Sequence, residues 1–439
     1  MRKSICIISF SPIARDARVL RQIKTLSPHY NLTVIGYGSP PKEWADARTI
    51  TWKLLPAPWT SPAPSANPSG SKNSSAGHGS APSLKSRIAR PLKKTPLYKP
   101  LVRLHNFLGW LYSTGLLLLG RVVPSAYEVW YAQQWGEPRA LACALSAACD
   151  AYHANDWNAL PIAGKSAGRN HAKLVFDAHE YAPLEYENRR NWWLVSPMII
   201  SMLKKYSRQV DVSTTVAPLI AERYHKEFDL NPVVVMNAPE RIEVSPRDVN
   251  PNQISLVHHG IAAALRKPEL MIETLALCDR RYSLHFMLIP SDYLPTLKAL
   301  AQKRAPGRVA FHDPVPPESI VQRIAEYDMG FCLIPPTTYN YLACLPNKFF
   351  DYVAAGLAVC AGPSPEMVRL ISEYGFGVVA PSFNPSEIAA ELNRLTAKDI
   401  SMMKFKALEA RTVLNAEVEM GKLLSLYEQL FAGGRECAA

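Results

Sequence analysis

The chain has 439 residues, too many for one compact core and enough for two domains of about 150–200 residues each. A composition that is 48% hydrophobic and 20% charged, with mean hydropathy −0.07, excludes a disordered chain and a polytopic membrane protein. The net charge of +12 would suit nucleic acid if it were spread over the surface, but eleven Lys and Arg and no Asp or Glu lie between Arg48 and Tyr127. The remainder is close to neutral, so no nucleic-acid partner is expected.

Ile5–Phe10 is an apolar run closed by Ser11-Pro12; it is shorter than the about 7–15 residues of a signal-peptide core and reads as a buried strand. Arg15–Leu26 follows with helical spacing at Val19, Ile23 and Leu26, and Asn31–Gly36 predicts a second strand. Strand, helix, strand is a βαβ unit and implies a parallel sheet. Residues 56–83, rich in Pro, Ser, Ala and Gly, read as a flexible insertion. Residues 84–123 carry eight of those eleven cations and include Phe107–Gly120, fourteen residues without a charge. That run is short of the about 20 residues that span a bilayer. Three readings stand for it: a buried helix, an interfacial element with Trp110 and Tyr112 on an anionic leaflet, and a spanning helix.

Strand signals recur at Ala151–His153, Ala172–Phe176, Val210–Thr215 and Val233–Met236. A second series covers Ile254–His258, Ser283–Ile289, Val309–Phe311, Met329–Ile334 and Ala358–Ala361, with helices at Glu269–Leu277, Glu318–Ala325 and Lys348–Ala355. The expected class is α/β with two Rossmann-like domains, over residues 1–245 and 252–410, and a C-terminal helix in 411–439 that packs back on the first domain. The eight cysteines show no CxxC and no Cys/His ligand spacing. They fit a reducing compartment and predict neither a disulfide scaffold nor a zinc site.

Chemistry concentrates in Tyr339–Val359, YNYLACLPNKFFDYVAAGLAV. Asn347 and Lys348 open a helix there, with Asp351 three residues on, on the same face. A helix start gathers unpaired N–H groups and suits a phosphate; Lys348 adds a charge, and Asp351 can accept two ribose hydroxyls. The alternative is an Asn347 N-cap with a solvated Lys/Asp pair. The segment resembles the PNK-F-[ED]-Y-x-A-x-G signature of GT-B glycosyltransferases, the group related to the large retaining family of sucrose and glycogen synthases. SPIARDARVLRQIKTL (Ser11–Leu26), HANDW (His153–Trp157), VFDAHEY (Val175–Tyr181), VVVMNAPE (Val233–Glu240) and LVHHGIAAALRKPELMIETL (Leu256–Leu275) resemble other parts of that group in the same order. Two departures stand out: Ala343 and Asp351 occupy the two acidic positions of the E-x7-E pattern, and Ile261 replaces the Arg that follows the loop glycine.

The resemblance implies a GT-B fold of two Rossmann-like domains facing a cleft. It implies transfer of a sugar from a nucleoside-diphosphate sugar to a saccharide hydroxyl, in a hexosyltransferase-like and metal-independent reaction, without a further cofactor. Retention and inversion both stay open. Arg266 and Lys348 with the backbone at Gly260 would stabilise the leaving diphosphate. Lys267, Asn347, Asp351, Tyr341, Arg15 and Asp16 complete the donor side. His258 and His259 precede Gly260, as ligand contacts or as a structural pair. Asp177, His179 and Glu180, at a strand's carboxyl end, would serve the acceptor, with Glu180 or His179 as the base of an inverting reaction. The expected setting is the cytoplasmic face of the inner membrane, with a lipid-linked acceptor and an anionic membrane surface met through residues 83–120. A dinucleotide oxidoreductase is disfavoured because SFSPIARDAR lacks the Gly-rich turn. A catalytically decayed GT-B protein, assembling a membrane polysaccharide complex, is the alternative that Ala343 and Ile261 keep open.

Overall fold

Runs of aliphatic and β-branched residues become the central strands. SICIISFSP forms β1 (Ser4–Pro12), in which Ile5, Cys6, Ile7 and Ile8 are wholly buried, as befits a strand covered on both faces. It pairs in parallel with β2 (Asn31–Tyr37) and with β4 (Ala151–Asn155). β3 (Ile50–Leu55), β5 (Lys173–Ala178), β6 (Val212–Thr215) and β7 (Val233–Val234) complete a parallel sheet ordered β3-β2-β1-β4-β5-β6-β7. This computed structural model describes residues 2–56, 98–134 and 137–432.

The second sheet comprises β8 (Ile254–Ile261), β9 (Tyr282–Ile289), β10 (Val309–His312), β11 (Met329–Cys332), β12 (Ala358–Ala361) and β13 (Gly377–Val379). Its order is β10-β9-β8-β11-β12-β13, again all parallel. The order reverses between β1 and β4 in the first sheet and between β8 and β11 in the second. At such switch points the loops leave in opposite directions and open a crevice beyond the strands' carboxyl ends. Both sheets are thus Rossmann-like, and the linking segment runs from β7 to β8.

The helix Ala416–Ala432 returns to the first sheet. Its Met420, Leu423 and Tyr427 are buried with Ile5, Ile7 and Ile23. Tyr427 Oη lies 2.8 Å from His153 Nδ1, and Glu419 accepts the Met236 N–H at 2.8 Å.

Around the insertion the structure departs from the sequence expectation. Residues 57–83 of the insertion and 84–97 of the basic segment lie outside the described residues. Beyond them runs the helix Tyr98–Leu119. Its stretch from Arg103 to Tyr112 is exposed around the whole circumference, with Trp110 58% exposed. Only the carboxyl-terminal end is docked: Leu117 is buried, and a Cβ at Gly120 would lie 2.2 Å from the Tyr127 ring, so glycine alone allows that contact. A buried helix over Phe107–Gly120 is therefore corrected to a projecting apolar helix anchored at one end. Among the described residues, no helix is long and apolar enough to cross a membrane.

Candidate active site

β8 ends in His258, His259 and Gly260, and the helix Asn347–Ala354 begins beside them. Pro346 occupies the cap position of that helix without a side-chain bond, so Asn347 is its first residue rather than its N-cap. The amphipathic pattern NKFFDYVA turns Phe349, Phe350 and Val353 into the core and carries Lys348 in with them. Lys348 Nζ lies 3.0 Å from His258 Nε2. His258 Nδ1 lies 2.8 Å from the Phe331 carbonyl, which takes the ring proton on that side and leaves Nε2 to accept from the ammonium. Gly260 has φ +125°, and a Cβ there would stand 3.1 Å from Lys348 Nζ. Glycine thus lets the ammonium lie against the strand end. Burial draws Lys348 down to about 8, and Arg266 pushes the same way.

Asp351 faces the same space. Burial pushes it up to about 7, against the pull of Arg21 and Lys348. His259 Nε2 is 3.4 Å from Asp351 Oδ2, while burial and Lys348 hold that imidazole neutral, at about 3. Arg266 ends a short 3-10 turn after β8, half-buried, and its charge is felt at Lys348, His258 and Glu180. Lys267 takes the left-handed capping position of that turn, with φ 47°, and is exposed. Tyr341 is half-buried in the short helix Tyr339–Leu342. Ala343, at the first acidic position of the resembled pattern, is completely buried.

The first domain contributes the opposite wall. Asp177 is fully buried and fully engaged. Arg18 grips both its oxygens at 2.6 Å, while Gln22 and Thr214 donate at 2.7 Å. Against the cost of burial, Arg18 and His179 hold its carboxyl well below the usual range. Asp177 therefore has no lone pair to spare as a base. His179 sits between Asp177 Oδ2 at 3.1 Å and Asp156 Oδ2 at 3.2 Å. Burial alone would lower it, but the two carboxylates hold it up at about 10, so it is an imidazolium. This removes His179 as a proton acceptor and makes it a fixed cation. Glu180, next in sequence, meets solvent along the cleft while the walls crowd its carboxylate. Burial, Glu185 and Asp156 raise it to about 7, opposed by His179 and Arg266. Asp16 caps the helix Ala17–Leu26 by accepting the Val19 N–H at 3.2 Å, and Arg15 is exposed in the preceding turn.

Two groups escaped the sequence reading. Arg21 shares a helix face with Arg18 and reaches toward Asp351; burial and Arg18 lower it to about 10. Its signal is the RVLRQ spacing, two arginines three apart in the first βα unit. The second is Asn340, which accepts the Tyr181 N–H at 2.8 Å and donates to the Tyr181 carbonyl at 3.2 Å. Around this tie Tyr339 Oη donates to the Leu219 carbonyl at 3.0 Å, and Arg223 lies over the rings of Tyr181 and Tyr339. Together these contacts hold the two domains face to face across the cleft.

No family model matches the chain, and no curated protein does so either. Solved structures do match over nearly its whole length. HepE of Anabaena, in complex with UDP and glucose, superposes with TM-score 0.61 at 12% identity over 97% of this chain and 99% of that one. Sucrose-phosphate synthase from Thermosynechococcus elongatus gives 0.62 at 12% identity over 99% and 100%. A trehalose-phosphate synthase from Burkholderia vietnamiensis gives 0.59 at 10% identity over 97% and 100%. With two parallel sheets whose switch points face one cleft, the chain has the GT-B fold, the architecture seen in sucrose-phosphate and trehalose-phosphate synthases.

Proposed function

We propose that the protein is a glycosyltransferase that moves a sugar from a nucleoside-diphosphate sugar to a hydroxyl of a saccharide acceptor. The observation that carries this is Lys348, a buried ammonium held between His258 and Gly260 at a helix start, with Arg266 beside it and Glu180 across the cleft. Departure of the diphosphate builds negative charge as the bond to the anomeric carbon breaks. Preorganised cations and helix N–H groups are the largest electrostatic help such a step can receive. Lys348, Arg266 and the N–H groups at Asn347 and Lys348 supply it without calling on a metal ion, and Asp351 is placed to accept ribose hydroxyls. The GT-B neighbours crystallised with UDP or UDP-glucose support a nucleotide donor. Glu180, poised near 7, takes the acceptor proton in an inverting transfer. In a retaining transfer the leaving phosphate takes it and Glu180 positions; the anomeric configuration of the product separates these courses. Screening nucleotide sugars for stabilisation and turnover tests the proposal. Stabilisation with transfer or slow donor hydrolysis is expected, unaffected by chelator. Stabilisation without turnover would favour the catalytically decayed assembly protein, and no response to any nucleotide would overturn both.

The same reading places the protein at the cytoplasmic face of a membrane, with a lipid-linked acceptor in polysaccharide synthesis. The projecting helix supports this: Leu104, Phe107, Leu108, Trp110 and Leu111 are exposed on it, next to the acid-free cationic stretch. Exposed apolar and aromatic side chains flanked by cations suit the interface of an anionic leaflet. Arg121 carries the patch on to Trp193, over whose ring it lies at 5.1 Å. Trp193 lies in the first turn of the helix Trp192–Tyr206, which follows the loop bearing Glu180 and Glu185. Binding to anionic vesicles is expected to weaken as salt rises and the Debye length falls from about 10 Å at 0.1 M to 3 Å at 1 M. Phe107→Ser with Trp110→Ser should lower it at least about tenfold, given about 0.8 kcal/mol per buried CH2. No binding to vesicles would remove the membrane while leaving the transferase standing.

A further inference from the structure

A cavity of about 910 Å³ opens beside the first residues of β8 and β9 and along the edge strand β10. It is separate from the cleft. Ser255 borders it, whereas Gly260 stands at the other end of β8, about 16 Å away at 3.3 Å per residue. Parallel sheets ordinarily bury both faces under apolar side chains. β9 alternates instead: Tyr282, Leu284 and Phe286 are buried on one face, and Ser283 and His285 stand half-exposed on the other. The His285 and His312 rings stack on that second face, 5.3 Å apart, with Nδ1 and Nε2 at 3.0 Å.

Around this floor stand Arg247, Arg280, Arg281, Arg308 and Arg323. Two of them are oriented by backbone carbonyls, and at Arg308 these contacts leave the charge uncancelled. Arg308 donates to the carbonyls of Tyr282 and Asp279 at 3.1 and 2.8 Å, and Arg281 to that of Leu395 at 2.9 Å. The acids at the rim are already matched. Glu326 pairs with Arg323, Asp279 with Arg281, Glu243 with Arg241 and Arg411, and buried Asp328 with Arg247 and Lys404. Among the described residues, no carboxylate comes within ion-pair reach of Arg280 or Arg308. Inside, burial and His312 lower His285 to about 4, with Glu326 opposing and Arg247 and Arg323 pushing the same way as burial.

We propose that this cavity is a second ligand site, separate from the donor cleft, that takes a small anion bearing two or more linked phosphates. Planar guanidinium forks match phosphate oxygens in pairs. Arg280 and Arg308, which have no carboxylate partner among the described residues, converge with three further arginines around one cavity, which favours a polyphosphate over a single carboxylate. The volume lies within the about 300–1,000 Å³ of small-molecule sites, which favours a metabolite over a nucleic-acid strand. Arg247 lies in the segment joining the two domains, and Lys404 donates to its carbonyl at 2.8 Å. A bound anion would therefore tie that segment to the second domain.

Inorganic tripolyphosphate is the probe, titrated calorimetrically into the full chain. Two binding events are expected, one at the cleft and one at this cavity. Arg280→Ala with Arg323→Ala should weaken one event at least tenfold and leave the other, whereas Lys348→Ala should do the reverse. In the unaltered protein, tripolyphosphate should also protect Arg280 and Arg323 from phenylglyoxal, mapped by mass spectrometry, a measurement that does not depend on a variant folding. Wild-type binding by the double variant, or no protection of either arginine, overturns the site. Loss of the cleft event alone would count against the transferase proposal and leave this one intact.

Discussion

Lys348 and Glu180 show how a side chain's surroundings set its chemistry within one cleft. The ammonium is held at about 8 and the carboxylate at about 7, so neither is locked in one protonation state near neutrality. A transfer that needs Glu180 ionised and Lys348 charged should rise through about pH 7 and fall through about pH 8, a narrow bell in kcat/KM. Glu180→Gln should lower turnover and leave only the acidic limb that Asp351, also near 7, imposes through donor binding, and Lys348→Ala should remove the alkaline one. Lys348→Ala should also lower turnover about 100-fold, the loss expected for one oxyanion-type donor. A flat profile, or an unchanged rate in Lys348→Ala, would displace these residues from the chemistry. Nothing in the letters separates Asp177, His179 and Glu180, three polar neighbours at one strand end. What separates them are partners elsewhere in the chain: Arg18, 159 residues away from Asp177, occupies that carboxylate, while Asp156 together with Asp177 holds His179 as a cation. Long-range partners of this kind leave no local pattern to read.

Elements with a strong period or an unbroken apolar run are the ones legible in the sequence. Glu269–Leu277 is helical over that same span, and β1, β9 and β12 lie where SICIISF, SLHFMLI and AVCA place them. β3 carries no clear strand signal, because ITWKLL mixes a Lys and a Trp into an edge strand paired on one side only, with β2, and edges tolerate such mixtures. The apolar run at Phe107–Gly120 gave the helix but not its exposure, since composition cannot distinguish a side chain that finds a partner from one that does not. The C-terminal helix is the converse case, an element whose worth lies wholly in its docking. Leu423 and Met420 are buried among first-sheet residues that lie some 400 positions earlier. Leu423→Ala should therefore cost about 2–5 kcal/mol in urea unfolding, the usual range for a core truncation. A cost below about 0.5 kcal/mol, typical of surface changes, would mean that the helix is not part of the first domain's core.

At the scale of the whole molecule, the question is what keeps two separate sheets in one arrangement. Four contacts recur at the contact between them: Asn340 with the Tyr181 backbone, Tyr339 with Leu219 and Glu187, and Glu366 with the Leu219 N–H at 2.7 Å. Asn340 is the best point to test, because it touches no proposed donor or acceptor group yet satisfies both polar backbone atoms of Tyr181. Asn340→Ala removes both hydrogen bonds at once, and an unsatisfied buried polar group costs about 1–3 kcal/mol. At 1.4 kcal/mol per tenfold, a mid-range loss lowers the closed-to-open ratio roughly 30-fold. If the closed form is the one that binds donor, the apparent affinity falls with its population. Donor KM should then rise roughly tenfold while kcat at saturation changes little, because bound donor restores closure. Small-angle scattering on the ligand-free variant should show a larger radius of gyration, returning toward the wild-type value on adding nucleotide. A fall in kcat with KM unchanged would place Asn340 in the chemistry instead, and identical scattering and kinetics would mean that the aromatic contacts of Tyr181, Tyr339 and Arg223 suffice to hold the cleft shut.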